Sequence, residues 1–269
     1  MPSTKGDLLS VLNRITQKIK KYMFLFEELV KRDFKQKYKG TALGMVWSVL
    51  SPLLTLFVMK MVFSHFFGRD IPHYTIYLFS GNIIMSYFRE STRGGMNSLV
   101  ANAPIFTKIN VPKYMFLLSK NVSTVINFAL TLVVYFIFCA ADGIDFGFHM
   151  LALIFPCVCL LMLNVGVGLI LSALYVFFRD MRYLYEVFLM LLTYVSAIFY
   201  TVEQFPVQIQ RVFLINPVYV YIKYFRLVVI DGSLPSLAYH LLCAGYALGV
   251  CVLGYWIYKK NNQRFLYYV

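Results

Sequence analysis

No GxxxxGK[ST] stretch occurs anywhere in the 269 residues, so the chain has no P-loop in which to cradle nucleotide phosphates. HExxH and GxSxG are missing too, and His65, His73, His149 and His240 stand apart from one another. Acidic residues number only 12, and no close pair of them falls inside an apolar run, where a proton relay would need it. Coupling to an ion gradient is therefore poorly supported, and an external energy source fits better. A membrane acyl- or glycosyltransferase would need a clustered acid/base or metal site, and none is present. The five cysteines (Cys139, Cys157, Cys159, Cys243, Cys251) all lie in apolar segments; packing explains them better than a disulfide framework or a zinc site. A cleavable signal peptide is not expected, because a long charged helix precedes the first apolar run.

What the chain has in abundance is hydrophobic length. Hydrophobic residues make up 60% and the mean hydropathy is +0.68, well outside the range of soluble domains. Crossing about 30 Å of hydrocarbon as helix takes roughly 20 apolar residues, because lipid offers no partner to unpaired backbone groups. Six such runs are expected: Met45–Phe67, Tyr74–Phe88, Tyr114–Ala141, Met150–Phe177, Tyr183–Tyr200 and Leu237–Tyr258. The reading is an all-α polytopic membrane protein forming one transmembrane domain over 1–269.

A net charge of +13 suggests nucleic acid only until its distribution is considered. Basic residues gather before the first run, after the second (Arg89, Arg93, Lys108, Lys113), after the fourth (Arg179, Arg182) and after the last (Lys259, Lys260, Arg264). The gap after the first run has only Arg69, and the gap after the third has Asp142 and Asp145 instead. The positive-inside rule then places both termini in the cytoplasm and leaves no case for nucleic acid. Trp47 and Trp256 fall at the cytoplasmic ends of their runs, as interfacial anchors do.

Between Leu8 and Tyr38, apolar residues recur every three or four positions from Leu8 through Val30 to Phe34, with lysines and arginines between them. Glu27–Lys31, Glu28–Arg32 and Asp33–Lys37 are acid-before-base pairs at the favourable i,i+4 spacing. A basic amphipathic helix over 8–38 belongs in the cytoplasmic membrane interface, or against a partner protein. The stretch 89–112 reads as a break at Gly94-Gly95, a short helix and a turn at Pro104 and Pro112, and is a candidate docking element. Arg182 and Glu186 form an i,i+4 pair at the start of the fifth run.

The segment 201–235 begins outside yet is apolar. Pro206 and Asn216-Pro217 cut it into two pieces, with Asn216 a natural N-cap and Pro217 suited to the first helical turn. The pieces measure roughly 13 and 21 Å, too short to span. A re-entrant helical hairpin in the outer leaflet accounts for both, and such backbone implies surrounding protein or a water-filled pore. Arg211, Lys223 and Arg226 lie here against the charge trend; they read either as an anion-contacting patch or as headgroup anchors. Of the abundant aromatics, Tyr194, Phe199 and Tyr200, with Tyr38 at the inner mouth, are candidates for rungs on which sugar rings stack. Gly40/Gly44 and Gly245/Gly249 have the small-xxx-small spacing of close helix pairs.

The stretch from Arg32 to Leu53 (RDFKQKYKGTALGMVWSVLSPL) resembles the start of ABC-2 family permeases that export polysaccharides, the membrane subunits of O-antigen, teichoic-acid and capsule exporters. Asn110-Val111-Pro112, Phe177-Phe178-Arg179-Asp180 and Asn216-Pro217 follow in the family's order. The resemblance covers nearly the whole chain. It implies an inner-membrane homodimer bound to two copies of a separate nucleotide-binding subunit, which carries ATP and Mg; this chain itself has no cofactor. It implies docking of that subunit on the cytoplasmic segment (Arg93, Gly94, Gly95, Asn97, Lys108) and on the N-terminal helix. It also implies outer gate helices (Arg211, Asn216, Pro217, Lys223, Arg226) and a channel for lipid-linked glycan lined by Tyr38, Trp47, Tyr194, Phe199 and Tyr200. Export of a drug, lipid or other small molecule by the same broad family is the alternative.

Overall fold

The computed structural model describes residues 22–67 and 71–268; the part of the amphipathic stretch from Leu8 to position 21, and Arg69, lie outside the described residues. Among the described residues there is no strand. The helices are α1 (22–38), α2 (Trp47–Phe67), α3 (Tyr74–Ala101), α4 (Ala103–Phe106), α5 (Tyr114–Ala141), α6 (Ile154–Phe177), α7 (Met181–Val195), α8 (Val207–Phe213), α9 (Pro217–Val229), α10 (Leu237–Asn261) and α11 (Phe265–Tyr268). Short 3₁₀ segments, Gly44–Val46 and Phe148–Leu153, precede α2 and α6.

Four stretches are long and apolar enough to cross a membrane: Gly44–Phe66, Tyr114–Ala141, Phe148–Phe177 and Leu237–Asn261. The bent pair α8 and α9, at 107°, makes a fifth if it is one broken span. The expected second and fifth runs fall on α3 and α7. Helix α3 is long enough at 28 residues but carries Arg89, Glu90 and Arg93. Helix α7 has 15 residues, about 22 Å of rise, and stops at Val195 rather than continuing to Tyr200.

Helix α3 is the axis of the bundle. Its buried face runs from Tyr74 to Leu99 and packs against α5 and α6, so protein rather than lipid surrounds its polar positions. The break expected at Gly94-Gly95 does not occur: the helix runs through both. Their bareness serves packing instead. A Cβ on Gly95 would lie 2.9 Å from the Gly168 Cα of α6, and one on Gly94 2.8 Å from the Lys120 Cγ of α5. The same device joins α6 to α10, the most extensive helix pair, where a Cβ on Gly166 would lie 2.7 Å from the Cys251 Cα. Gly40, Gly44, Gly245 and Gly249 have open space in front of them, so the small-residue pairs read from sequence are not the close crossings within this chain. All five cysteines are free.

Candidate functional site

At one end of the bundle, α1 is tied to it by a polar chain. Lys37 Nζ donates to Glu90 Oε1 at 2.7 Å, Asn127 Nδ2 donates to the same oxygen at 3.3 Å, and Tyr38 OH donates to Asn127 Oδ1 at 2.6 Å. Four residues earlier the buried Asp33 accepts from Arg32 at 2.7 Å and from Ser119 Oγ at 3.0 Å. The i,i+4 pairs expected on α1 therefore give way. Lys31 meets Glu28 at i,i+3, while Asp33 and Lys37 turn inward to α5 and α3. Tertiary partners win because an inward carboxylate needs fixed donors once water is gone.

Tyr38 and Trp47 share a polar slot of about 360 Å³ between α2, α3 and α5, with hydroxyls and amides from Ser51, Thr55, Asn82 and Thr131 on its walls. Pro52 also lines it; lacking an N–H, it leaves the Ser48 carbonyl without its helical donor. Tyr194, Phe199 and Tyr200 sit elsewhere. Phe199 is buried and stacks on Phe63 of α2 at 4.3 Å, sixteen residues and about 24 Å of helix away from Trp47. The proposed rungs thus form two groups at opposite ends of α2. Within the outer group, Tyr194 is 59% exposed, and Tyr200 OH donates to the Tyr194 carbonyl at 2.9 Å. Phe199 is core packing in this fold.

The opposite end is organised by the early stop of α7. After Val195 the chain turns through Ala197, whose φ of +49° is left-handed, and four successive carbonyls lose their helical donors. Each finds a side chain: Ala197 and Ile198 accept from Arg226 at 2.9 and 3.1 Å, Phe199 from Tyr74 OH at 2.9 Å, and Tyr200 from Tyr77 OH at 2.7 Å. Arg226 also donates to the Tyr77 carbonyl at 3.1 Å, and its guanidinium carbon lies 3.4 Å from the centre of the Tyr77 ring. Neither expectation for Arg226, anion patch or headgroup anchor, fits a residue this deeply buried. It is a clamp on unpaired backbone, which low-dielectric surroundings make mandatory.

Asn216 caps α9 by accepting from Val218 N at 3.0 Å, and its amide donates to Ser196 Oγ at 2.9 Å, with Pro217 opening the helix as expected. Helix α9 is buried along most of its length, with Tyr221 OH donating to the Cys243 carbonyl at 2.8 Å. The exposed member of the hairpin is α8, which carries Arg211. Lys223 pairs with Glu203 at 3.0 Å. Burial alone would push the Glu203 carboxyl up, but its hydrogen bond and charge pairing with Lys223 hold it below the usual glutamate value. Glu203 escaped the sequence reading because a loop acid has no periodicity to place it.

The candidates on the 89–112 segment also separate. Arg93 donates to Glu186 of α7, displacing the expected Arg182–Glu186 pair. Asn97 donates to the Arg93 carbonyl at 3.0 Å within α3. Gly94 and Gly95 are covered by α5 and α6, whereas Lys108 stands exposed on the turn after α4. Lys113 donates to the Asn262 carbonyl at 2.6 Å and lies near the rings of Phe106 and Phe265, so the C-terminal turn braces the segment that follows α4.

Comparison with known proteins supplies an independent line. Residues 25–230 match the family of ABC-2 type transporters. The chain is 28% identical over 253 residues to the O-antigen export system permease protein RfbA of Klebsiella pneumoniae, covering 90% of this chain and 95% of that one. It is 28% identical over 189 residues to the protein of the same name from Myxococcus xanthus, covering 70% and 72%. Similarity to the polysialic acid transport protein KpsM of Escherichia coli is 21% over 243 residues, covering 89% and 94%.

Proposed function

This chain belongs to the ABC-2 type transporter family, and from that membership we propose that it is the permease subunit of an ATP-driven exporter of lipid-linked polysaccharide in a bacterial inner membrane. The observation that carries this reading is similarity along nearly the whole length of O-antigen export permeases, 90% of this chain and 95% of the relative. A shared module alone would not produce it. Similarity to a polysialic acid transport protein over 89% of the chain extends the same substrate class and disfavours a drug or small lipid as cargo.

In this reading the chain crosses the membrane six times, with α3 and α7 shielded by neighbouring helices and both termini in the cytoplasm. The α8–α9 pair is the re-entrant outer hairpin. Two copies of the chain assemble with two copies of a separate ATPase subunit that binds ATP and Mg. The exposed turn around Lys108 and helix α1 receive that subunit. Nucleotide-driven movement reaches the bundle through the Lys37–Glu90–Asn127–Tyr38 chain, which binds α1 to two membrane helices. The test is co-expression with the ATPase subunit: a two-plus-two complex whose hydrolysis responds to lipid-linked glycan is the expected result. A complex indifferent to glycan but stimulated by small amphiphiles would return the alternative cargo.

A further inference from the structure

Resting on that exporter reading, we propose that Lys113 and Phe265 are positioning residues. Together they brace the exposed turn at 107–109, so that a push from the ATPase subunit reaches the membrane helices and is not lost in the connecting chain.

Helix α4 cannot hold that turn by itself. It is four residues long, too short to sustain its own conformation without tertiary support. The backbone hydrogen bonds donated from 107–109 go back only to Ala103 and Ile105, and Lys108 and Ile109 are exposed. The direction of the turn is therefore set from outside. On one side Phe106 is buried, its ring 6.0 Å from that of Phe116 on α5. On the other side Lys113, the residue before α5, donates to the Asn262 carbonyl at 2.6 Å. Asn262 is the C-cap of α10, where helix carbonyls lack donors and the helix dipole favours a cation. The ammonium then lies between two rings, 5.7 Å from Phe106 and 5.8 Å from Phe265. One ring belongs to the docking segment and the other to α11.

Phe265 is itself firmly held. Its side chain is fully buried, 5.2 Å from the Tyr258 ring of α10 and 6.0 Å from the Phe177 ring of α6. It belongs to a small apolar cluster separate from the main core. There Leu29 of α1, Phe106 of α4, Phe116 of α5, Val176 of α6, Tyr258 of α10 and Phe265 of α11 come together. The two elements assigned to the ATPase subunit, α1 and α4, thus share one packed body with the ends of three long helices. Close-packed interiors transmit strain. Loosening Lys113 or Phe265 leaves one side of the docking turn unsupported.

The pair also separates bracing from direct contact. A partner can reach Lys113, which is partly exposed, but not Phe265. If both act through one brace, their substitutions have the same effect and do not add.

The test uses the complete complex in inside-out vesicles, with lumenal glycan and hydrolysed ATP counted in the same sample. Lys113→Met removes the charge and keeps the length; Phe265→Leu removes the ring and keeps an apolar side chain. Each is expected to assemble with the ATPase subunit and to hydrolyse ATP much as wild type does. Each is also expected to lower the glycan exported per ATP by about fivefold or more, the low end of a coupling between sites. The double variant is expected to be no worse than the more severe single one, and Lys113→Arg, which keeps the charge, to restore most of the ratio. In the purified complex, amide exchange over 105–109 is expected to rise about tenfold in Lys113→Met, the scale of one charge-assisted hydrogen bond, and to stay low in Lys113→Arg. Unchanged export per ATP in both single variants overturns the proposal. So does loss of coupling in Lys113→Met beside a normal Phe265→Leu, which would make Lys113 a direct contact of the ATPase subunit. Exchange unaffected by Lys113→Met overturns it as well, and that result needs neither transport nor Phe265→Leu. If wild type exports no glycan, the exporter reading fails, while the exchange comparison still decides whether the brace exists.

Discussion

The Arg226 guanidinium donates to the carbonyl of Ala197 at 2.9 Å, joining the buried helix α9 to the point where α7 breaks off. Ala197 is in the left-handed region, a conformation that costs a non-glycine residue on the order of 1 kcal/mol or more and persists only when its surroundings hold it. Arg226 supplies that hold with three carbonyl contacts and a cation–π contact.

Arg226→Ala is therefore expected to destabilise the protein by about 3–5 kcal/mol, because it leaves three buried carbonyls without donors at roughly 1–3 kcal/mol each. Arg226→Lys recovers little of it, because one ammonium cannot reach three separated acceptors. Thermal melting of detergent-solubilised protein checks this. A melt within a degree of wild type would mean that the three carbonyls Arg226 serves have water to turn to.

Much of the outline was legible before the fold was. The proline and asparagine positions placed the α8–α9 hairpin within a few residues, since Asn216 as N-cap and Pro217 at the first turn are local chemistry. The apolar runs found the long helices for the same reason. What failed was whatever a neighbour decides. Gly94-Gly95 reads as a break in isolation, yet beside Gly168 and Lys120 it is a crossing point. Arg182–Glu186 is a good helical pair until Arg93 arrives from α3. Phe199 reads as a channel rung until Phe63 covers it, whereas the separation of Tyr38 from Tyr194 is already implied by placing Tyr38 at the inner mouth.

The glycine crossings lead to a second expectation. Gly95→Val is expected to cost about 1–3 kcal/mol by forcing α3 away from α6, because the obstacle is backbone and cannot rotate aside. Gly245→Val, facing open space, should cost far less within the monomer. Comparing the two melts tests whether the close approaches lie at Gly95 and Gly166 and not at the Gly245/Gly249 pair.

Helix α1 is attached through polar side chains as well as through its buried Leu29. Asn127→Leu removes the acceptor for Tyr38 and one donor to Glu90. The expected outcome is faster amide exchange over 34–38 by about tenfold, corresponding to one hydrogen bond of roughly 1–1.5 kcal/mol. Unchanged exchange there would show that the apolar face of α1 suffices.

The loop between α7 and α8 carries a pH dependence of definite sign. The Glu203 carboxyl is held below its ordinary value in the fold by Lys223, so the stability it contributes is present above the unfolded value. That stability is lost as pH falls through the depressed one, below about pH 4.3. Exchange of the amides at 201–205 is expected to be flat from pH 8 to 5, after correction for intrinsic rates, and to rise only on the acid side. Glu203→Gln should remove that rise.

The most direct measurement of the central claim is transport itself. Inside-out vesicles containing this chain and its ATPase subunit are supplied with lipid-linked glycan, and the glycan protected inside the lumen is counted with and without ATP. The account expects accumulation that needs ATP, this chain and the ATPase subunit together. A fully assembled complex that hydrolyses ATP yet leaves the glycan outside would contradict it.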